Sequence, residues 1–281
     1  MPQDFTLHTH TIGCDGKNTP AEMVARATEM GMQAIGISNH FIVHPKIRES
    51  NFYPHALRGG YSQIYNASFD EIMARFIPIY QEIEHVAKNA PIRVLRGLEV
   101  DFFPDDKWRQ NFERAIGVLK PDYLIGACHF IEYDGGLRNV HDMANANPEE
   151  RAHMLNAYWR KIGMAAESGL FTWMAHLDLP RKVGIGIGDE WRIREYDTIA
   201  KLAKNNTPIE INTALQPMPY PSHRILQMAA RANLPVLISD DAHRAEQIGR
   251  FFDGAEQLCA QIGIKNRLSL QKILDFSNKT L

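Results

Sequence analysis

Cysteine is scarce in this chain, with three among 281 residues. Cys14, Cys128 and Cys259 cannot all pair and show no zinc-finger spacing, so neither a disulfide framework nor a thiolate zinc module organises the fold. Free thiols suit a reduced, cytoplasmic setting. An excess of one charge is missing as well. A formal net charge of −2 offers no bulk attraction to nucleic acid or another polyanion. No apolar run approaches the ~18 residues needed to cross a bilayer. The opening residues lack the basic-then-apolar pattern of a signal peptide. Low-complexity tracts and Pro/Ser/Gly linkers are absent too, so residues 1–281 are expected to form a single domain.

What is present is alternation. Short apolar runs such as Ala34-Ile35-Gly36-Ile37-Ser38 are too short for helices and read as buried strands. Helical patterns separate them; the first opens on Thr19-Pro20-Ala21-Glu22, a capping box with proline at the first helical position. Ser68 to Lys88 reads as a helix that Pro78 kinks or divides. About seven strands at roughly thirty-residue spacing require right-handed crossovers and a parallel sheet. The expected fold class is α/β, a distorted seven-stranded TIM-like (β/α) barrel; a doubly wound open sheet is the alternative. Phe41 to Asn66 breaks the rhythm and is expected to be a functional loop or lid, and Phe130 to Asn147 is expected to be a second loop.

Histidine and carboxylate collect where the strands end. The first strand gives His8 and His10, two apart and so on one face. Asp15 follows in a turn-like Gly13-Cys14-Asp15-Gly16 run. Later strand ends give His40, Glu99, His129 and His176, and the seventh gives Asp241 and His243. The sixth, Glu210-Ile211-Asn212, offers no obvious ligand, and the helix-borne His85 and His153 are expected at the surface. Singly, each position has a plainer role. His129 or His176 would pack as a hydrogen-bonded core residue, Glu99 would pair with Arg93 or Arg96, and Asp241 would cap the next helix. Jointly they crowd one rim, because a parallel barrel places all strand C-termini together. Desolvated and unpaired, such groups would cost several kcal/mol. Bound cations remove that cost. The ligands outnumber the four or five that one zinc uses, so two to three divalent ions (zinc, iron or manganese) are expected, with metal-assisted hydrolysis as the reaction.

These residues carry a likeness. His8-Thr9-His10, Ser38-Asn39-His40, Gly97-Leu98-Glu99, Cys128-His129-Phe130-Ile131, Ala175-His176-Leu177-Asp178, Glu210-Ile211-Asn212-Thr213 and Ser239-Asp240-Asp241-Ala242-His243 together resemble the PHP (polymerase and histidinol phosphatase) superfamily of metal-dependent phosphoesterases. Within it the chain looks most like the monofunctional histidinol-phosphate phosphatases. The resemblance implies a trinuclear site at the C-terminal rim of the strands. His8, His10, Glu99 and Asp241 would hold one metal, Glu99, His129 and His176 the second, and Asp15, His40 and His243 the third. Glu99, Asp241 and His243 are then the candidate catalytic residues.

The implied activity is hydrolysis of a small phosphomonoester, histidinol phosphate first, by a metal-activated hydroxide. The alternative is another phosphatase or phosphodiesterase acting on a nucleotide or sugar phosphate, and the remotest is a non-enzymatic metal-stabilised scaffold. The partner expected is a small phosphorylated substrate, with neither nucleic acid nor membrane; the sequence leaves homo-oligomerisation open. One departure bears on the substrate. Gln216 stands where those phosphatases often have a basic residue. Arg181, Arg138, Arg244 and Lys182 are the candidate substitutes, Arg181 first, because a planar guanidinium pairs with two phosphate oxygens. Asp178 is a candidate acid for the leaving group.

Overall fold

A computed structural model describes residues 2–185, 188, 191–216 and 218–280. Its strands are β1 (Phe5–Thr6), β2 (Ala34–Ile37), β3 (His40–Val43), β4 (Tyr65–Asn66), β5 (Arg93–Asp101), β6 (Tyr123–Ala127), β7 (Phe130–Tyr133), β8 (Gly136–Asn139), β9 (Trp173–Met174), β10 (Ile209–Asn212) and β11 (Val236–Ser239). The main sheet runs β1-β2-β5-β6-β9-β10-β11, with every pairing parallel. Its two edges meet in an isolated Thr9–Ala242 bridge, where the His10 amide donates to Ala242 O at 2.8 Å and the Ala242 amide to His8 O at 3.2 Å. The sheet is therefore a nearly closed seven-stranded barrel of the TIM-like class, and the open doubly wound alternative does not hold.

Helices α1 (Pro20–Glu29), α2 (Tyr53–Arg58), α3 (Phe69–Ala87), α4 (Asp106–Leu119), α5 (Pro148–Glu167), α6 (Arg192–Lys204), α7 (His223–Arg231), α8 (Phe252–Ile262) and α9 (Leu270–Thr280) occupy the connections and the end of the chain. The Thr19–Glu22 capping box forms as its spelling requires. Pro78 neither divides α3 nor ends it; the helix runs unbroken from Phe69 to Ala87. Its buried face, including Ile72, Phe76, Ile79 and Ile83, holds it against the barrel through the proline.

The barrel interior is apolar. Phe5, Leu7, Leu95, Tyr123, Ile125, Trp173 and Leu237 form one cluster, joined from the C-terminal segment by Leu268, Ile273 and Leu274. Tyr123 stacks on Trp173 with ring centroids 5.0 Å apart and donates its hydroxyl to Leu7 O at 2.7 Å. This filling explains two glycines: a Cβ on Gly36 would stand 2.1 Å from the Tyr123 hydroxyl, and one on Gly97 would stand 2.2 Å from its ring.

The two segments expected to be loops are folded. Phe41 to Asn66 contains β3, α2 and β4, with β3 paired to both β4 and β5. His40 therefore opens a strand rather than closing one, and it lies opposite Glu99 in register. Phe130 to Asn147 begins with the β7–β8 hairpin. Together they wall the C-terminal mouth of the barrel. Among the described residues no helix is long and apolar enough to cross a membrane.

Candidate metal centre

Glu99 is the hub of that mouth. It lies near the end of β5, is 1 % exposed, and faces histidines from five places along the chain. Its Oε2 lies 3.4 Å from His8 Nε2, 3.5 Å from His10 Nε2 and 2.6 Å from His40 Nδ1. Its Oε1 lies 2.9 Å from His176 Nε2 and 3.4 Å from His129 Nε2. Asp241 Oδ1 approaches His10 Nε2 at 3.1 Å and His8 Nε2 at 3.6 Å. Asp15 Oδ2 sits 3.3 Å from His243 Nε2 and 3.5 Å from His40 Nε2. His8 and His10 thus turn the same edge toward one carboxylate, as a two-residue spacing on an extended chain requires. All nine residues singled out in the sequence as ligands meet in this cluster, while His85 and His153 are exposed.

Most of these donors face one another closely without hydrogen-bonding. His8 Nε2, both ring nitrogens of His10, His40 Nδ1, Glu99 Oε2, Asp15 Oδ1 and Asp241 Oδ1 are buried and lack a hydrogen-bond partner. Each such atom costs about 1–3 kcal/mol, a large sum to leave standing in a stable fold. The donors also group: those of His8, His10 and Glu99, those of His10, Asp241 and His243, and those of His40, Glu99 and His129 each lie within 4.8 Å of one another. Imidazole and carboxylate are the donor set of zinc, iron and manganese. The residues present fit divalent cations.

Charge points the same way. Burial opposes ionisation of Glu99, yet His40, His8 and His129 hold its carboxyl well below the usual carboxylate range. Asp241 and Asp15 are likewise held ionised against burial by their histidine neighbours. Burial, with His243 and His40 beside it, lowers His10 to about 4, leaving a neutral ring with a lone pair to give. Against the opposing effect of burial, Glu99 and Asp15 raise His40 to about 10. Protons on such histidines are what a divalent ion displaces when it binds.

Sequence reasoning passed over the residues that hold the candidate ligands. Glu210, in the strand that seemed to offer nothing, accepts from His8 Nδ1 at 2.9 Å, from Trp173 Nε1 at 3.2 Å and from the His176 amide at 3.1 Å. With Nδ1 engaged, His8 presents Nε2 to Glu99, the arrangement that orients a ligating ring. Asp101 accepts the His129 and Phe130 amides and the Lys161 ammonium at 3.0 Å, bracing the turn that carries His129. Their signal was weak: Glu210 alternates with Ile209 and Ile211 in a fully buried strand, where a carboxylate needs a partner. Cys14 Sγ lies in a donor group with His10, Asp15 and His40 and accepts the His40 amide at 3.3 Å.

A cavity of ≈ 290 Å³ opens over the cluster. Asp15, His40, His129, His176, Asp241 and His243 form its floor, and Phe52, His55, Tyr61, Tyr65, Asn139, His141, Leu179 and Lys182 stand around them. Of the four candidate cations only Lys182 reaches it. Arg181 turns to Asp178 and to the carbonyls of Met218 and Pro219, and it packs over the Tyr220 ring. Arg138 alternates with Leu137 and Asn139 on β8 and is not in the lining. Arg244 is half exposed beside Glu246, outside the cavity. Asp178 is buried, accepts the Ser222 amide at 2.8 Å and does not line the cavity either, so it is not placed to protonate a leaving group. Gln216 bonds Thr213 O and lies on a different surface.

Comparison with known proteins follows this geometry. The model of the PHP domain family matches residues 6–214. The chain is 27 % identical over 261 residues, 91 % of its length and 92 % of the other, to a probable histidinol-phosphatase of Deinococcus radiodurans. Among solved structures it resembles the HisK protein of Listeria monocytogenes (TM-score 0.72, 20 % identity, 89 % of this chain and 99 % of that one). It also resembles histidinol phosphate phosphatase of Lactococcus lactis, solved with zinc, L-histidinol and phosphate (TM-score 0.66, 18 % identity, 95 % of both chains).

Proposed function

The chain belongs to the PHP domain family and is a hydrolase of phosphoric monoesters, and from that premise we propose that it cleaves histidinol phosphate to histidinol and phosphate. The observation that carries the reading is the convergence on Glu99 of His8, His10, His40, His129 and His176 beneath a cavity of small-molecule size. The probable histidinol-phosphatase relative supports the choice of ester, as does the Lactococcus protein that binds histidinol with phosphate.

Two to three divalent ions complete the site in this reading. His8, His10, Glu99 and Asp241 would hold one, Glu99, His129 and His176 a second, and Asp15, His40 and His243 a third. When bound, such ions acidify water and draw charge from phosphoryl oxygens. The chain's own residues do the rest. Glu99 serves two donor groups through separate oxygens, which sets their spacing. Glu210 fixes the His8 ring. Asp241 and His243 close the site on the side of the barrel seam. Lys182 meets the phosphate dianion at the cavity wall as a point charge. The aromatic walls Phe52, Tyr61 and Tyr65 keep bulk water from the reacting centre.

The test is a panel of esters at equal concentration on metal-reconstituted protein: histidinol phosphate, nucleoside monophosphates, sugar phosphates and a phosphodiester. Histidinol phosphate should lead in kcat/KM by at least about tenfold, the scale on which a shaped pocket separates related substrates. A nucleotide, a sugar phosphate or the diester leading instead would replace this substrate while keeping the reaction class. Inertness towards every ester would restore the scaffold reading.

A further inference from the structure

His141 lines the cavity without belonging to the candidate ligand set, and its hydrogen bonding defines its tautomer. The Asn139 side-chain oxygen accepts the His141 backbone N–H at 3.0 Å. That backbone donor settles which end of the amide is oxygen. The same Oδ1 lies 2.7 Å from His141 Nδ1. An amide oxygen only accepts, so Nδ1 carries the proton and donates it, and in the neutral ring Nε2 keeps a lone pair. The ring is held in place by Phe52, stacked on it with centroids 5.2 Å apart and planes 21° from parallel. Burial, with Lys182 and His55 nearby, lowers its pKa to about 4, so the ring is neutral at ordinary pH.

We propose that His141 is a specificity residue, whose Nε2 accepts a hydrogen bond from a neutral N–H on the leaving group of the phosphomonoester. A neutral donor is favoured over an ammonium because the His141 ring is largely buried, and burial opposes positive charge there. An azole N–H meets this description, and the inference rests on the histidinol phosphate reading for the presence of such a ring. The chemistry is discriminating: a site built to bond a substrate N–H rejects the analogue that lacks it, because a desolvated acceptor is left unpaired.

The experiment compares histidinol phosphate with 2-amino-3-phenylpropyl phosphate, which keeps the amine and the ester but has no ring N–H. The wild-type protein should favour the former at least about tenfold in kcat/KM. His141→Phe, which keeps a flat ring against Phe52, should bring that ratio to within about twofold of one through a higher KM for histidinol phosphate, with any loss on 4-nitrophenyl phosphate, which also lacks the N–H, no larger than the loss on the phenyl analogue. His141→Gln, which restores an acceptor, should recover most of the preference. A wild-type preference that survives in His141→Phe overturns the assignment alone. Equal loss on all three esters overturns it too, as a structural effect. A wild-type protein that does not favour histidinol phosphate over the phenyl analogue overturns the assignment, and the ester panel then decides whether the substrate reading falls with it.

Discussion

Leu7 and His8 are adjacent and equally buried, yet they belong to different kinds of interior. Leu7 lies in the apolar filling of the barrel, its carbonyl taken by Tyr123. His8 lies in the mouth, where its Nε2 faces Glu99 and Asp241 without a hydrogen bond. In the barrel filling, Tyr123 and Trp173 both have hydrogen-bond partners and apolar side chains occupy the rest. In the mouth, many buried polar atoms lack partners. The difference teaches that stability and chemistry are segregated along the same strands. The interior carries the fold, and the mouth concentrates the buried donors that the proposed cations would satisfy. Glu210 is the joint, because it accepts both from Trp173 in the filling and from His8 in the mouth.

The comparison breaks most sharply at Glu99. Glu99→Gln should lower kcat by about a thousandfold or more, the scale of removing a principal electrostatic group. It should also reduce the metal retained, measured by elemental analysis, while far-ultraviolet circular dichroism is unchanged. Wild-type turnover in this variant would sink the hub assignment. Leu237→Ala is the mirror experiment. It opens a cavity in the filling and should cost about 2–5 kcal/mol in denaturant unfolding, with metal content per folded molecule unchanged. A stable variant that lost metal would show that the two regions are not separable.

Smaller effects probe the boundary. Glu210→Gln should weaken metal affinity about 10- to 100-fold, read by titration against a competing chelator, since it loosens the hold on the His8 ring. Gly36→Ala should cost about 1–3 kcal/mol by overpacking against Tyr123. Adding Tyr123→Phe should recover part of that loss, because the hydroxyl is the nearest contact. Strict additivity in that pair would mean that the strain lies elsewhere.

Much of the mouth was legible beforehand because a parallel barrel converts sequence order into one rim. A histidine or carboxylate at a strand end then has a predictable destination, as His129, His176 and His243 illustrate. What strand periodicity does not encode is the course of long side chains. Arg181 looked like a phosphate clamp, but it bends to Asp178 and backbone carbonyls, whereas Lys182 reaches the cavity. The segment from Phe41 to Asn66 looked structureless because its short strands are stabilised by distant partners, with His40 set opposite Glu99. Gly36 and Gly97 were unremarkable in the sequence, since the Tyr123 ring that requires them comes from another strand.

The Thr9–Ala242 bridge has a consequence for how the protein comes into being. One side of the seam is made early in synthesis and the other late, and His8, His10, Asp241 and His243 are divided between them. A chain still emerging from the ribosome holds the first pair of histidines without the acid that faces them. If these four residues hold metal as proposed, ions met before the last strand docks would find only a partial cage, and the centre would be complete only once His243 has been made and the cylinder has shut.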